Sequence, residues 1–508
     1  MQTKNSLPLQ SLWEATGGAA QSFPQLQGSE STEVIIIGGG ISGLTTAYLL
    51  GKAGIAVAVI EARKIGMGTT ACSTGNLYEL TSTPLSAILS SYGSTTAKRV
   101  YQSRARAIDF MEELVFTNGI DCDFKRVPFH YYLEKSSTKG ESFLARELAA
   151  ARVCQFAVKK LKASQNPLPF AVDRLLRIAN QGQINPLAYV RGLAKQLPPS
   201  VKVYEQSPVL RIDAQGARVF TGEGELSGKI VVMATHIPKG FLTMQIKLAG
   251  IREIALAVDT IDEAMPPGIF WGIDHEEYSL RRYSNKEKKH YLVLIGDLHK
   301  TGHRTASETP FATFERYLGE RFVLGNERYG WAAQSYYSAD ALPYIGKDSE
   351  KLYYMTGFSA DGLVFGSLAG MIVSDSILKR KNPWADLYQS ERCAMIRSLR
   401  AVIQEGFEVS CHFLAGRYLP SKEALADIEV GEGGVINHGC KKLAVYRQGA
   451  DAYQCVSAVC THLGCIVRYN PLEKSWDCPC HSSRFDLEGR VIEGPALENL
   501  EKRSLERK

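Results

Sequence analysis

The stretch EVIIIGGGISGLTTAYLLGKAGIAVAVIEA, residues 33–62, limits the possible folds of this chain more than any other segment. Residues 34–37 form a short, β-branched apolar run, the pattern of a strand buried on both faces of a parallel sheet. The run passes into Gly38-x-Gly40-x-x-Gly43, then into a helix with Leu44, Tyr48 and Leu49 on one face, then into a second strand over 57–60. Strand, glycine turn, helix and strand in this order make a βαβ unit and commit the region to an α/β fold. The first glycine allows the turn, the second lets backbone approach a pyrophosphate, and the third lets helix pack on strand. The phosphates then meet the helix N-terminus. Glu61 closes the second strand, where a carboxylate can bind both ribose hydroxyls. Ser42 and Ala62 complete the expected contacts of this turn and strand end.

Three later segments favour FAD over NAD. GMGTTACSTGN follows Glu61 closely and contains Thr69 and Thr70. KIVVMATHIP reads as a strand running into a small-residue turn at Ala234. LYYMTGFSADGLVFGSLAGMIVSD reads as a strand, a glycine turn and an apolar helix starting near Leu363. The positive end of a second helix suits a flavin, because it stabilises the anionic reduced ring.

On these residues the region 31–390 resembles the D-amino-acid-oxidase-type, glycine-oxidase-like flavoproteins. Gly38, Gly40, Gly43 and Glu61 match the FAD fingerprint of that family, and Thr69 and Thr70 fall in its flavin-proximal loop. Val209 falls where the family packs a strand residue by the adenine, and Gly357, Phe358 and Gly362 match its C-terminal flavin segment. The resemblance implies an α/β FAD-binding (Rossmann-like) domain made of discontinuous segments, about 31–100, 181–240 and 331–390. A mixed-sheet α+β substrate domain, about 101–180 and 241–330, would lie over the flavin. It also implies oxidation of the C–N bond of a small amine or amino-acid-like substrate, with hydride transfer to FAD. Some members tether the flavin through a cysteine in the segment that here reads GWAAQSYYSADALPYIG. No cysteine stands there, so noncovalent FAD is expected.

The C-terminal region has a different texture. Of 11 cysteines, Cys455, Cys460, Cys465, Cys478 and Cys480 crowd into one short stretch, which points to metal or redox chemistry. Cys460 and His462 form C-x-H, and Cys478 and His481 form C-x-x-H. Two thiolates and two imidazoles on two loops suit a [2Fe–2S] cluster, with both cysteines on one iron and both histidines on the other. A zinc site would use the same residue types, though it would need no further cysteines. The pattern resembles the Rieske domain, specifically the disulfide-clamped kind of quinol-oxidising complexes. That resemblance implies a disulfide between Cys465 and Cys480. It places Ser483 at a position that donates a hydrogen bond toward the cluster sulfurs, and Phe485 where relatives carry a tyrosine. The histidine nitrogens are expected at the domain surface, as an exit for the electron. His412 and Cys440 fall outside the pattern and read as ordinary packing or surface residues. A D-amino-acid-oxidase-type flavoprotein with a C-terminal Rieske domain is a recognisable bacterial arrangement that covers nearly the whole chain.

The 508 residues exceed one ordinary core. The expected order is an N-terminal arm (1–30), the flavoprotein region (31–390), a helical linker (391–423) and a small all-β Rieske domain (424–508). Met395, Leu399, Val402 and Ile403 carry the linker helix by their spacing. Apolar residues at 45% and charged residues at 22% describe a globular chain. The net charge of +6 comes from 59 basic and 53 acidic residues, with no aromatic-basic stripe, so no nucleic-acid partner is expected. No apolar run of about 18 residues occurs, so no integral membrane segment is expected. The polar first thirty residues lack a signal-peptide core, so a cytoplasmic location is expected.

Candidate catalytic residues come from the middle of the chain. In SLRRY, Arg281 or its neighbour Arg282 can hold a substrate carboxylate in a bidentate pair. In LHKTGH, His299, Lys300 and His303 are candidates for proton removal or flavin tuning, and Tyr336 and Tyr337 for pocket walls. A two-electron flavin beside a one-electron cluster implies a splitter that ends at an external acceptor, a carrier protein or a quinone. Two other readings stay open: electrons flowing inward from an external donor through the cluster, or a redox sensor or electron carrier without small-molecule turnover.

Overall fold

The computed structural model describes residues 9–18, 20–240, 243–261, 265–274, 278–303, 310–389, 392, 409, 412–417, 421, 423–439 and 441–505. The βαβ unit forms as its pattern requires. Strands Val34–Ile37 and Val57–Ile60 pair in parallel and flank the helix Ile41–Lys52. Every residue of both strands is buried. They occupy a six-stranded sheet ordered Tyr344–Ser349, Leu352–Thr356, Ile230–Met233, Val34–Ile37, Val57–Ile60, Val201–Tyr204. All neighbours in it are parallel except the edge strand Tyr344–Ser349. The apolar helix Gly362–Ile377 packs beside Ile41–Lys52, so two helix N-termini share one end of the sheet.

A nine-stranded mixed sheet forms the second layer. From one edge it runs Leu324–Ser338, Leu248–Thr260, His290–Lys300, Ser279–Ser284 and Ile269–Gly272, paired antiparallel. Ile269–Gly272 then pairs in parallel with Lys125–Leu133. The strand Leu324–Ser338 runs through residue 331, so the two predicted sub-regions interleave at that point. The C-terminal region holds two four-stranded antiparallel sheets. One contains Gly433–His438, Lys441–Arg447 and Tyr453–Ser457; the other contains Arg468–Asn470, Ser475–Asp477, Arg484–Phe485 and Val491–Glu493. Trp476 and Phe485 fill the core between them without exposure. This is the small all-β domain expected from the sequence.

Two regions differ from the sequence reading or lie beyond the description. The polar arm is packed into the protein: Leu12–Thr16 is a short helix with a Ser11–Glu14 capping box, and Trp13 is fully buried. Its indole donates to Ser73 O at 2.5 Å, which ties it to the loop after Glu61. Gly28–Ser31 adds a parallel strand to Gly224–Ser227. One tryptophan among polar neighbours gives no periodic signal, which is why the anchoring is invisible locally. The expected linker helix, with Met395, Leu399, Val402 and Ile403, falls outside the described residues, as does Cys440; residues 412–417 are helical.

Gly43 illustrates how the turn dictates sequence. A Cβ at this position would lie 2.0 Å from the carbonyl oxygen of Gly38, inside any allowed contact. Gly43→Ala should force helix and strand apart. Overpacking of this kind costs about 1–3 kcal/mol, so flavin retention should fall by about tenfold, read as the flavin-to-protein absorbance ratio of the purified variant.

Candidate functional site: a flavin cavity closed by a cluster-bearing domain

A cavity of about 520 Å³ extends from the strand ends at Ile37 and Ile60 to the nine-stranded sheet. Gly38, Gly40, Ser42, Glu61 and Ala62 line one end. Gly40 caps the helix Ile41–Lys52 without a side-chain bond; Ile41 N donates to Thr70 Oγ1 at 3.3 Å, and the amides after it face the space where an anion would sit. Glu61 accepts from Gly39 N at 2.8 Å and Arg63 N at 2.9 Å, which fixes its carboxylate at the strand end. Thr69, Thr70 and Val209 line the same cavity, as do Ala234, Phe358, Gly362 and Leu363. Gly43 and Gly357 lie behind the lining. This cradle fits FAD: a dinucleotide turn, a ribose carboxylate and a second helix N-terminus face one space. Cys72 also lines the cavity, but burial pushes its thiol up to about 12, which keeps it protonated and unfit to attack a flavin.

The opposite end holds residues that sequence reasoning missed. Glu253, on strand Leu248–Thr260, lines the cavity with Trp271, Ser279, Ile295 and Ser335. A bulge between Arg252 and Ile254 interrupts the pairing with His290–Lys300 at this residue, an irregularity common beside active sites. Glu253 is buried and accepts from the Tyr337 hydroxyl at 3.2 Å. Burial raises its carboxyl to about 7. Lys239 lies toward Glu61 and Arg63, donates to Gly494 O, and is pushed down to about 8 by burial. The dinucleotide end therefore mixes Lys239 and Arg63 with the carboxylate of Glu61, and the other end carries the raised carboxyl of Glu253.

The candidate catalytic residues are placed apart. Arg281 is buried and does not line the cavity; its guanidinium donates to Thr74 O at 2.6 Å and Ile184 O at 3.4 Å. Lys300 ends its strand opposite Ile251. The His303 ring meets the His412 ring edge-on, centroids 4.7 Å apart, beyond the cavity. Tyr336 is fully buried; its hydroxyl accepts from Gln334 Nε2 at 2.6 Å, and its ring stands edge-on to His236, 4.8 Å between centroids. His236 is a lining residue with φ 68, and its Nδ1 is 3.1 Å from Thr69 Oγ1 and 3.5 Å from Glu493 Oε1.

Glu493 belongs to the C-terminal domain, which supplies a wall of the cavity through residues 490–494, Ala496, Leu497 and Asn499. The domain is held by a buried ionic network. Arg252 pairs with Glu473 and lies 3.8 Å from Glu493; Arg484 pairs with Glu473 at 2.9 Å and Asp477 at 3.0 Å. Burial alone would raise Glu493, but the His236 bond and the two guanidiniums outweigh it and hold it at about 2.

The four expected cluster ligands converge in this domain. Backbone bonds Cys460 N to Cys465 O, 2.8 Å, and Cys478 N to Ser483 O, 2.8 Å, shape the two loops, and the Cys465–Cys480 disulfide joins them. The Cys460 and Cys478 thiols hydrogen-bond to each other, which pushes Cys460 down and Cys478 up. The His462 and His481 rings lie edge-on with centroids 5.0 Å apart. Burial pushes both imidazoles down to about 4, so both are neutral and able to ligate. The sulfurs of Cys465 and Cys480 also lie within 4.8 Å of Cys478, but the disulfide removes them as thiolate ligands. Two adjacent thiols and two adjacent imidazoles fit a [2Fe–2S] cluster of the Rieske kind. His462 does not look outward as expected. Its Nε2 lies 2.9 Å from Oε1 of Gln245, a residue of the flavin-bearing region.

Such a pairing is redox machinery: a dinucleotide-binding flavoenzyme joined to an iron–sulfur domain. Residues 33–376 match the FAD dependent oxidoreductase family and residues 423–504 the Rieske [2Fe-2S] domain. The chain belongs to the FAD dependent oxidoreductase family and carries a C-terminal Rieske domain, with FAD and a [2Fe–2S] cluster as its cofactors. It is 28% identical over 500 residues to YhfW of Bacillus subtilis, a Rieske 2Fe-2S iron-sulfur protein by name, across 96% of each chain. It is 24% identical over 380 residues to the gamma-glutamylputrescine oxidoreductase of Escherichia coli, across 72% of this chain and 88% of that one. The glycine oxidase of Geobacillus kaustophilus shares the fold, with a TM-score of 0.58 and 18% identity over 71% of this chain and 99% of that one. Among the described residues no helix is long and apolar enough to cross a membrane.

Two variants probe the cluster site. Ser483 is fully buried, its hydroxyl accepts from Ala496 N at 3.2 Å, and it helps to push the Cys460 thiol down. Hydrogen bonds to sulfur favour the more negative, reduced cluster. A bond to a charged group is worth about 1.5–3 kcal/mol, so Ser483→Ala should lower the cluster potential by on the order of 100 mV in a redox titration. Cys465→Ser opens a loop whose closure is worth about 3 kcal/mol. The variant should still assemble a cluster but lose iron faster on warming, followed by chelator absorbance; failure to assemble any cluster would make Cys465 a ligand.

Proposed function

We propose that this protein is a dehydrogenase of a small amine or amino-acid-like substrate that passes electrons singly through its Rieske cluster to an external acceptor, a carrier protein or quinone. The observation that carries this reading is the shared wall: the cluster-bearing domain closes the flavin cavity through Glu493 and its neighbours. A cluster built into the flavin site has no evident use in an enzyme that delivers electrons straight to oxygen. Bound FAD supplies a two-electron hydride acceptor, and a bound [2Fe–2S] cluster supplies a one-electron carrier.

The chain's own groups provide for an amine. As a carboxylate, Glu253 pairs with a substrate ammonium in the apolar end of the cavity. Its Oε then accepts a proton from that nitrogen, leaving the neutral amine from which hydride can depart. Tyr337 holds the carboxylate in place through its hydroxyl. Lys239 and Arg63 sit at the dinucleotide end, where they meet phosphate charge. The relative named for gamma-glutamylputrescine, an amine conjugate, supports the same class of chemistry.

The test is anaerobic bleaching of the flavin by a panel of amines and amino acids. Bleaching by members of the panel is the expected result; bleaching only by NAD(P)H with a reductase would reverse the direction of electron flow, and no response to either would leave a sensor or carrier. The Glu253 carboxyl sits near 7, so the rate of flavin reduction should rise as pH increases through about that value, as the base form appears. Glu253→Gln should flatten this limb and lower kcat/KM for flavin reduction by about 100-fold. An unchanged pH profile in the variant would remove Glu253 from the reaction.

A further inference from the structure

We infer that Gln245 is a positioning residue for the iron–sulfur cluster: it holds His462 in the tautomer that directs Nδ1 to iron, and it turns the histidine side of the cluster toward the flavin cavity. Gln245 is almost fully buried, and its carboxamide is fully used. Nε2 donates to Pro238 O and Gly240 O, both at 2.7 Å. A carboxamide has two N–H groups, so both are spent on these carbonyls. Oε1 is then the atom that faces His462 Nε2 at 2.9 Å, and it can only accept. His462 must therefore carry its hydrogen on Nε2. A neutral imidazole protonated at Nε2 has its free lone pair on Nδ1, the nitrogen left for a metal. The contact fixes both the tautomer and the ring's direction, as outer partners do for metal-bound histidines.

The segment that orients Gln245 also lines the flavin cavity. His236 and Lys239 face that space, Lys239 donates to Gly494 O, and Gly240 N donates to Pro495 O at 3.1 Å. A second amide grips the other loop. Gln334 Nε2 donates to Ser482 O at 3.0 Å, the residue after His481, and its Oε1 accepts from Thr301 Oγ1 at 3.1 Å. Ser482 can come this close because Gly250 lacks a Cβ, which would lie 1.9 Å from the serine hydroxyl. Both histidine loops are thus clamped to the flavin-bearing region, one by each glutamine. One electron moves per step across this interface, from reduced flavin to oxidised cluster, and the two steps together release one proton from the flavin to solvent. His462 Nε2 is occupied by Gln245, so an external partner must meet the protein elsewhere.

The inference rests on the two cofactors and not on the substrate, so its test uses none. Full-length protein carrying FAD and cluster is photoreduced anaerobically at the flavin with EDTA as sacrificial donor. Cluster reduction is then followed by its paramagnetic signal. In Gln245→Leu, one remote imidazole nitrogen should change its quadrupole coupling in electron spin echo spectra, and flavin-to-cluster transfer should slow by about tenfold, the effect of about one lost hydrogen bond. In Gln245→Glu, where a carboxylate still accepts from Nε2–H, the coupled nitrogen should persist and the cluster potential should fall. Wild-type nitrogen couplings and transfer rate in Gln245→Leu would overturn the inference. Should that variant bind no iron, Gln334→Leu, which touches no ligand, decides it: slower transfer supports the clamped face, and an unchanged rate overturns it.

Discussion

Arg252 is the charge around which the two halves of this protein are organised. Its side chain, 2% exposed, leaves the nine-stranded sheet and ends among Glu473 and Glu493 of the Rieske domain. A guanidinium removed from water is costly, and several kcal/mol of that cost must be offset by carboxylates in good geometry. Only one placement of the small domain provides them, because Glu473 and Glu493 are themselves oriented by Arg484, and Arg484 by Asp477. The network works less as glue than as a register. A shifted domain would strand a buried cation against apolar surface, so alternative dockings are excluded far more strongly than the correct one is favoured.

That register has chemical consequences at both cofactor sites. Glu493 is a member of the ionic network and a wall of the flavin cavity, and it meets His236 there. The same docking brings Gln245 to His462 and Gln334 to Ser482. Three non-glycine residues with left-handed φ lie at the cavity and this seam: His236, Ser359 and Ser482, at 68°, 53° and 61°. Each such residue costs on the order of 1–3 kcal/mol and persists where the surroundings over-determine it. Here the surroundings are two elements, the C-terminal ends of interior strands of the parallel sheet and a disulfide-clamped loop pair.

Within the cavity the raised carboxyl, Glu253, lies among aromatic and small side chains at the end away from Glu61, Arg63 and Lys239. The loop that completes the flavin cradle is anchored from outside by two indoles, Trp13 to Ser73 O and Trp331 to Cys72 O. The N-terminal arm therefore belongs to the site's support.

What was legible in the sequence was local. The glycine turn with Glu61, and the two ligand pairs with the two clamp cysteines, each fall within one stretch of about 25 residues, and their chemistry demands those types at those spacings. Chain direction, sheet class and cofactor identity follow from such short-range patterns. The residues that join the sites carry no local signature. Gln245 meets His462 across 217 residues, and Arg252 meets Glu473 across 221. A glutamine in a single helical turn or an arginine in a strand looks like any solvated polar residue until a distant loop buries it. Charge in the sequence is equally silent about placement. Arg281, Lys300 and His303 stand out as charged residues on a substrate-side strand and loop, yet the fold takes Arg281 into backbone carbonyls and sets His303 against His412. Glu253 lay unnoticed in an apolar run. Sequence determined which cofactors this protein can hold, because cofactor binding is written in short motifs. Only tertiary structure decided which side chains stand between them, because burial and partnership across hundreds of residues turn an ordinary polar group into a functional one.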